Sequence, residues 1–299
     1  KKGPTLFSQK GIKMQEILEV LQDTAIDTIK LLPFLFITYL IMEYIEHKTS
    51  NKVKDVIKKS GKFGPLLGAI VGIFPQCGFS VSATNLYAGR VITLGTLISV
   101  YLATSDEMLP ILLTEAVPAG TIFTILGIKL VLGIVAGFII DFVIRMFRKE
   151  KVEEQEEKIE EICEHEHCHC EEGIVTSAIK HTLNITIFIF FITLVLNGII
   201  AYIGEDTIAH FISKNVILGP IVAGLIGLIP NCASSVILTE LFISNVISMP
   251  VLISGVAVNA GVGLLVLFKT NKNVKENIKI VGILYLIGVL AGIILELFL

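Results

Sequence analysis

Two hexapeptides hold the residues of this chain best suited to chemistry. Pro75-Gln76-Cys77-Gly78-Phe79-Ser80 and Pro230-Asn231-Cys232-Ala233-Ser234-Ser235 each place a carboxamide, a thiol and a hydroxyl directly after a proline. Thiolate sulfur combined with amide oxygen suits a soft metal or a metalloid, whereas hard cations prefer carboxylate and carbonyl oxygen. Gln76, Cys77, Asn231 and Cys232 are therefore candidate ligands, with Ser80 and Ser235 behind them. The two thiols could instead form a redox couple, although no C-x-x-C lies in the apolar part of the chain.

About 29 residues further on, each stretch is followed by a second polar interruption, Thr104-Ser105-Asp106-Glu107 in one case and Asn259-Ala260-Gly261 in the other. Ser105 reads as a helix N-cap with two acids in the first turn, and Asn259 as a further substrate-binding residue. Asp106 and Glu107 are either a loop at the membrane surface or, facing a polar cavity, a cation ligand or proton carrier. An ionisable group inside a membrane is costly unless it is used. Lys129 lies deep in an apolar run and either pairs with one of these acids or snorkels to the surface. Glu240 is a second candidate buried acid, and Asp141 reads as an i, i+4 partner of Arg145.

A different chemistry sits in the middle of the chain. The Glu-rich stretch 149–173 ends with Cys163, His165, His167, Cys168, His169 and Cys170, a dense set of nitrogen and sulfur donors for Zn, Ni, Cu or related ions. Their tight alternation fits no finger or ribbon. A transition metal held there points to buffering, delivery or sensing rather than translocation, and the rest of the chain calls for no resident cofactor.

The elements that must position these residues follow from composition. Of 299 residues, 53% are apolar and 17% charged, and no Trp is present. Mean hydropathy is +0.80. Soluble domains carry about 25% charge, so this chain belongs in a bilayer. It has no G-x-x-x-x-G-K-[ST] loop, no complete nucleophile elbow and no basic stripe interleaved with aromatics, which argues against an ATPase, a serine hydrolase and a nucleic-acid binder. Residues 25–44, 119–144, 182–203 and 278–299 are each long enough to cross ~30 Å of hydrocarbon. The blocks 63–113 and 218–268 each hold either three short crossings or one crossing plus a re-entrant hairpin.

The two halves align without a gap at an offset of 155, and about 23 of the 79 pairs from 64 to 142 are identical. Phe36-Ile37-Thr38 also meets Phe191-Ile192-Thr193. Lys-rich loops at 46–62, 145–151 and 269–279 should be cytoplasmic, which makes the repeats inverted and the 149–173 linker cytoplasmic. Lys1, Lys2, Lys10 and Lys13 then fall outside, where an amphipathic helix over 11–22 would lie in the interface. The predicted organisation is an N-terminal segment at 1–22, membrane repeats at 23–148 and 174–299, and the linker between them. The fold class is an all-α polytopic membrane protein with about ten membrane-inserted segments in two inverted repeats. Its helices break at the midplane, because proline frees carbonyls that only protein or a wet cavity can satisfy. Glycines at four-residue spacing, such as Gly64, Gly68 and Gly72, or Gly133 and Gly137, read as helix-packing contacts.

With the paired Pro-Gln/Asn-Cys motifs, the ten-segment repeat and the His/Cys linker assembled, the chain resembles the ten-helix heavy-metal exporters. That family is similar to the organoarsenical permeases, and its members are also named as arsenic efflux or manganese transport proteins. The resemblance implies transport of a metal or metalloid; the leading expectation is a non-enzymatic secondary active transporter in the cell membrane in which Asp106, Glu107 or Glu240 couples protons or holds a cation. The resemblance carries over to the two motifs alone. Rival readings are a Mn-like divalent cation transporter using Asp106, Glu107 and Glu240, an intramembrane thiol oxidoreductase, and a passive channel. A homo-oligomer is compatible with all of them.

Overall fold

Apolar runs punctuated by proline, glycine and polar residues fold here as short helices in a repeated order. The computed structural model describes residues 63–75, 77–147, 174–203 and 218–298 with most of 21–40, and these residues form helices and no strands. In the first repeat, helical residues between 21 and 40 precede α1 (Gly64–Gly72), α2 (Cys77–Ala88), α3 (Leu94–Ala103), α4 (Met108–Thr114) and α5 (Ala119–Phe147). In the second, α6 (Ile174–Ile203) is followed by α7 (Leu218–Gly227), α8 (Cys232–Ile243), α9 (Met249–Val258), α10 (Gly263–Thr270) and α11 (Val274–Phe298). The starts of α2, α3, α4 and α5 recur in α8, α9, α10 and α11, each 155 residues later.

The duplication extends to single bonds. Thr93 caps α3 by accepting from Thr96 N–H and donates to Asp141 Oδ2 at 2.7 Å. Ser248, its counterpart, caps α9 from Val251 N–H and donates to Glu296 Oε2 at 2.7 Å. Side-chain caps of this kind contribute ~1 kcal/mol each. Ser99 Oγ donates to Pro65 O at 2.5 Å, and Ser254 Oγ to Pro220 O at 2.8 Å. Asp141 thus has a larger role than the expected partnership with Arg145. Its carboxylate is buried and also accepts from Gly95 N–H at 2.9 Å, tying α5 to the start of α3.

Glycines set the spacing. A Cβ on Gly68 would lie 3.0 Å from Thr96 O, and one on Gly72 would lie 2.7 Å from Val100 O, so α1 advances alongside α3 in the same direction. The chain between α2 and α3 turns back at Arg90, whose φ of 57° is matched by Asn245 in the second repeat. Consequently α1 and α2 form a helical hairpin beside α3, and α7 and α8 do the same beside α9. The 63–113 block thus combines two short helices with a longer helical stretch. Length agrees with this: the 9 residues of α1 rise about 14 Å, half of a hydrocarbon core, whereas α3 and α4 together run 21 residues, Leu94–Thr114. Five helical stretches among the described residues are long and apolar enough to cross a membrane: Leu94–Thr114, Ala119–Met146, Ala178–Val195, Met249–Thr270 and Val274–Phe298.

The repeats clasp each other. α2 of the first packs on α10 of the second, α8 of the second packs on α4 of the first, and α3 and α9 meet between them. One buried cluster joins Leu97, Ile98 and Leu102 of α3 to Ala257 and Val258 of α9.

The tight glycine contacts separate two substitutions on one helix. A Cβ at Gly133 would lie 2.8 Å from the backbone oxygen of Ser99, while one at Gly127 meets nothing within 4 Å. Gly133→Ala is expected to destabilise by ~1–3 kcal/mol through overpacking. Gly127→Ala should be neutral or stabilise by ~0.5–1 kcal/mol through helix propensity. Melting temperatures of the two purified variants in detergent check the contrast.

Candidate functional site

α1 ends at Gly72 and α2 begins at Cys77, so the first hexapeptide lies at the tip of a hairpin. Gln76 and the side chain of Cys77 lie outside the described residues. At the equivalent tip of the second repeat the local chemistry is visible. Asn231 is extended, with φ −150° and ψ 149°, and caps α8 by accepting from Ala233 N–H at 3.4 Å. Ser234 Oγ donates to Asn231 O and Ser235 Oγ to Cys232 O, both at 2.8 Å. Asn231, Cys232, Ser234 and Ser235 are all buried. Cys232 belongs to one apolar cluster with Val81 of α2 and Val262 and Val266 at the start of α10, so parts of both repeats adjoin this tip.

The second interruption separates α3 from α4 and α9 from α10. Asp106, with φ 27°, and Gly261, with φ 53°, occupy equivalent left-handed positions. Glycine takes this conformation freely, whereas an L-residue pays roughly 1–2 kcal/mol for it. Asp106 is 3% exposed, so it is enclosed by protein and not part of a surface loop; Glu107 is only partly buried. Ser105 does not cap α4 as expected. Its hydroxyl donates back to Ala103 O at 3.3 Å, and α4 starts only at Met108 with no acid in its first turn. In the other repeat, Asn259 Oδ1 accepts from Gly261 N–H at 2.7 Å. That bond orients the carboxamide and leaves its Nδ2, buried with the side chain at 2% exposure, with no acceptor among the described residues.

Lys129 does not snorkel. It is fully buried in α5, and its Nζ donates to Val256 O of α9 at 2.7 Å. The α9 ladder closes with Asn259 N–H on Gly255 O, and Val256 O is the next carbonyl along. Lys129 therefore satisfies a carbonyl beside the break of the opposite repeat, with the Asp106 carboxylate near enough to act on its charge. Glu240, by contrast, is exposed near the end of α8, so the expectation of a buried acid there is not met.

Contacts across the repeats bring these parts together. Gly263 opens α10 immediately beside Ser80, where an added Cβ would lie 3.1 Å from Ser80 Cβ. The hydroxyls of Thr84 and Tyr101 lie 2.5 Å apart and 3.2 and 3.3 Å from Gly263 O, with Thr84 Oγ1 also 2.7 Å from Ser80 O, so two protons are shared among these oxygens. The first repeat's hairpin thus sits on the second repeat's interruption. Reciprocally, α8 meets α4 through Met108, Leu112, Ile237, Leu238 and Leu241. Sequence reasoning passed over Thr84 and Tyr101. The available signal was a tyrosine in an otherwise aliphatic stretch whose counterpart, 155 residues later, is Val256.

The arrangement gathers hydroxyls, carboxamides and a thiol with one buried acid and one ammonium. Among the described residues no group of three or more His, Cys, Asp or Glu side chains comes together. The linker residues Cys163, His165, His167, Cys168, His169 and Cys170 lie outside the described residues, as does the amphipathic segment expected over 11–22.

No curated protein and no solved structure matches the chain. A family model described as "Putative, 10TM heavy-metal exporter" matches residues 13–200, more than half of it, including the first hexapeptide and the His/Cys linker. Membrane-length apolar helices around duplicated polar interruptions, together with that match, make this chain a member of the 10TM heavy-metal exporter family.

Proposed function

We propose that the protein is a secondary active transporter that exports a heavy metal or metalloid through a site lined by the two hairpin tips and the two helix interruptions. Gln76, Cys77, Asn231 and Cys232 serve as ligands, Ser80 and Ser235 lie behind them, and Asn259 adds an oriented N–H donor. Asp106 and Lys129 form the ionisable pair that couples transport to protons, with Glu107 at its edge. The observation that carries this reading is the seating of Ser80 and Thr84 of one repeat on Gly263 at the interruption of the other. Breaks that face each other across two repeats are where transporters of this architecture bind substrate.

Contact order supports inversion of the repeats. Along α2, Ser80 and Thr84 lie by Gly263, and after α2 Arg90 lies by Glu276, so α2 and α10 run in the same direction. Within the first repeat α4 instead runs away from the α2–α3 turn. A two-fold axis in the membrane plane reconciles the two, and the hairpins are then re-entrant. Lysines at 269, 272 and 275 favour the cytoplasm for the Arg90 face, in a cell membrane, with the 149–173 linker on the same side as a metal buffer or sensor.

Soft-ligand binding makes the thiols indispensable. Cys77→Ser and Cys232→Ser should each abolish metal or metalloid tolerance in cells and flux into proteoliposomes at unchanged expression. Wild-type flux in both variants removes the thiol mechanism. Asp106→Asn is expected to leave substrate binding measurable while eliminating the dependence of flux on a pH gradient. A screen across Mn, Zn, Ni, arsenite and a methylated arsenical, with and without that gradient, reads both effects.

A further inference from the structure

The two inter-repeat seams occupy equivalent places, yet their chemistry differs. At the foot of α2, Arg90 donates from Nη1 to Glu276 Oε1 at 2.9 Å and from Nη2 to Oε2 at 3.1 Å. Tyr87 Oη also donates to Glu276 Oε1, and its ring lies beneath the guanidinium, 5.3 Å from Cζ to the centroid. Asn271 Nδ2 donates to Glu276 Oε2 at 3.4 Å and to Asn277 Oδ1 at 2.8 Å, and Asn277 Nδ2 returns a bond to Asn271 O at 2.8 Å. Bidentate arginine–carboxylate geometry is both strong and directional. The pair is partly shielded, at 28% and 24% side-chain exposure.

Shifted by 155 residues, the same positions hold Phe242 for Tyr87, Asn245 for Arg90, Thr121 for Glu276, Ala116 for Asn271 and Ile122 for Asn277. Those residue types cannot build an ion pair. Asn245 Nδ2 turns back to Ile243 O within its own turn, and Glu240, the acid that α8 does contain, is exposed. Further in, Val256 replaces Tyr101 and Met108 replaces Gly263, and α4 and α8 meet through Met108, Leu112, Ile237, Leu238 and Leu241. One seam carries a charged clasp that the residue types at the equivalent positions of the other cannot form.

The geometry points to Arg90 and Glu276 as a gate: the pair locks the first repeat's hairpin to the second repeat on the face bearing the 269–275 lysines, and it must part for the central site to open there. This inference rests on the transport reading. Tyr87 is a positioning residue that holds both partners.

The test uses the full chain in native membranes and follows alkylation of the buried Cys232 by a membrane-impermeant maleimide, resolved by peptide mass. Reagent is applied to each face separately, and Lys272→Cys identifies the Arg90 face. Arg90→Ala or Glu276→Gln should raise labelling from that face by ~10-fold or more, the scale of a modest population shift. The charge swap Arg90→Glu with Glu276→Arg should restore it to within ~3-fold of wild type, as coupled partners do. Tyr87→Phe gives a smaller rise and keeps the question open to measurement if a charge variant folds poorly. Asn245→Ala, at the equivalent place, leaves labelling unchanged. Unchanged labelling in both single charge variants, or a swap that fails to restore, overturns the gate. Zinc and arsenite flux in proteoliposomes from the same preparations separates the two ideas. Flux with labelling unmoved removes the gate alone, whereas labelling that shifts without flux keeps the lock and counts against transport.

Discussion

Hydrocarbon offers no hydrogen bonds, so every backbone group released at a helix interruption must find its partner within the protein. The whole arrangement follows from meeting that demand across the two repeats. Val256 O, left without a partner in its own helix just before the α9–α10 interruption, accepts from Lys129, and the hydroxyls of Thr84 and Tyr101 lie 3.2 and 3.3 Å from Gly263 O where α10 begins. These side chains all belong to the first repeat, and both carbonyls flank the second repeat's interruption, where Asn259 Oδ1 also accepts from Gly261 N–H. This support from the first repeat explains why the polar residues around the α9–α10 interruption lie inside the protein although the surrounding chain is apolar.

Close approach is the second requirement. Hydrocarbon supplies no net drive for apolar side chains to leave it, so contacts between membrane helices depend on packing and on polar bonds. Gly68 and Gly72 let α1 lie against the backbone of α3, Gly133 brings α5 to the same helix, and Ser99 then reaches Pro65 O. The second repeat reproduces the pattern with Gly288 near Ser254 O and Ser254 bonded to Pro220 O. A rigid three-helix support results, and the hairpin tip and the broken crossing are held against it.

Duplication supplies the symmetry, and departures from it supply the chemistry. Asp106 stands where the other half has Gly261, accepting a left-handed backbone that glycine adopts without cost. Lys129 stands where the other half has Leu284, and Arg90 where it has Asn245. Charge therefore stands at positions whose counterparts in the other half are uncharged, Glu276 opposite Thr121 included.

Much of this was legible without coordinates. Hydropathy marks the long crossings, the offset of 155 marks the duplication down to helix starts, and proline with glycine marks the interruptions, because these are local properties of the chain. Side-chain destinations were less legible. Sequence spacing lets Lys129 snorkel, pairs Asp141 with its neighbour Arg145 although it also ties α5 to α3, and offers Ser105 a cap that it does not make. Glu240 and Asp106 looked alike in sequence, yet one is exposed and the other enclosed. Periodicity and composition report which residues share an element, and burial depends on which other element arrives to cover them. The hairpin of α1 and α2, the meeting of Thr84 and Tyr101 at Gly263, and the pairing of Arg90 with Glu276 across 186 positions were decided only when the two halves packed together, since contacts between distant segments leave no trace in local pattern.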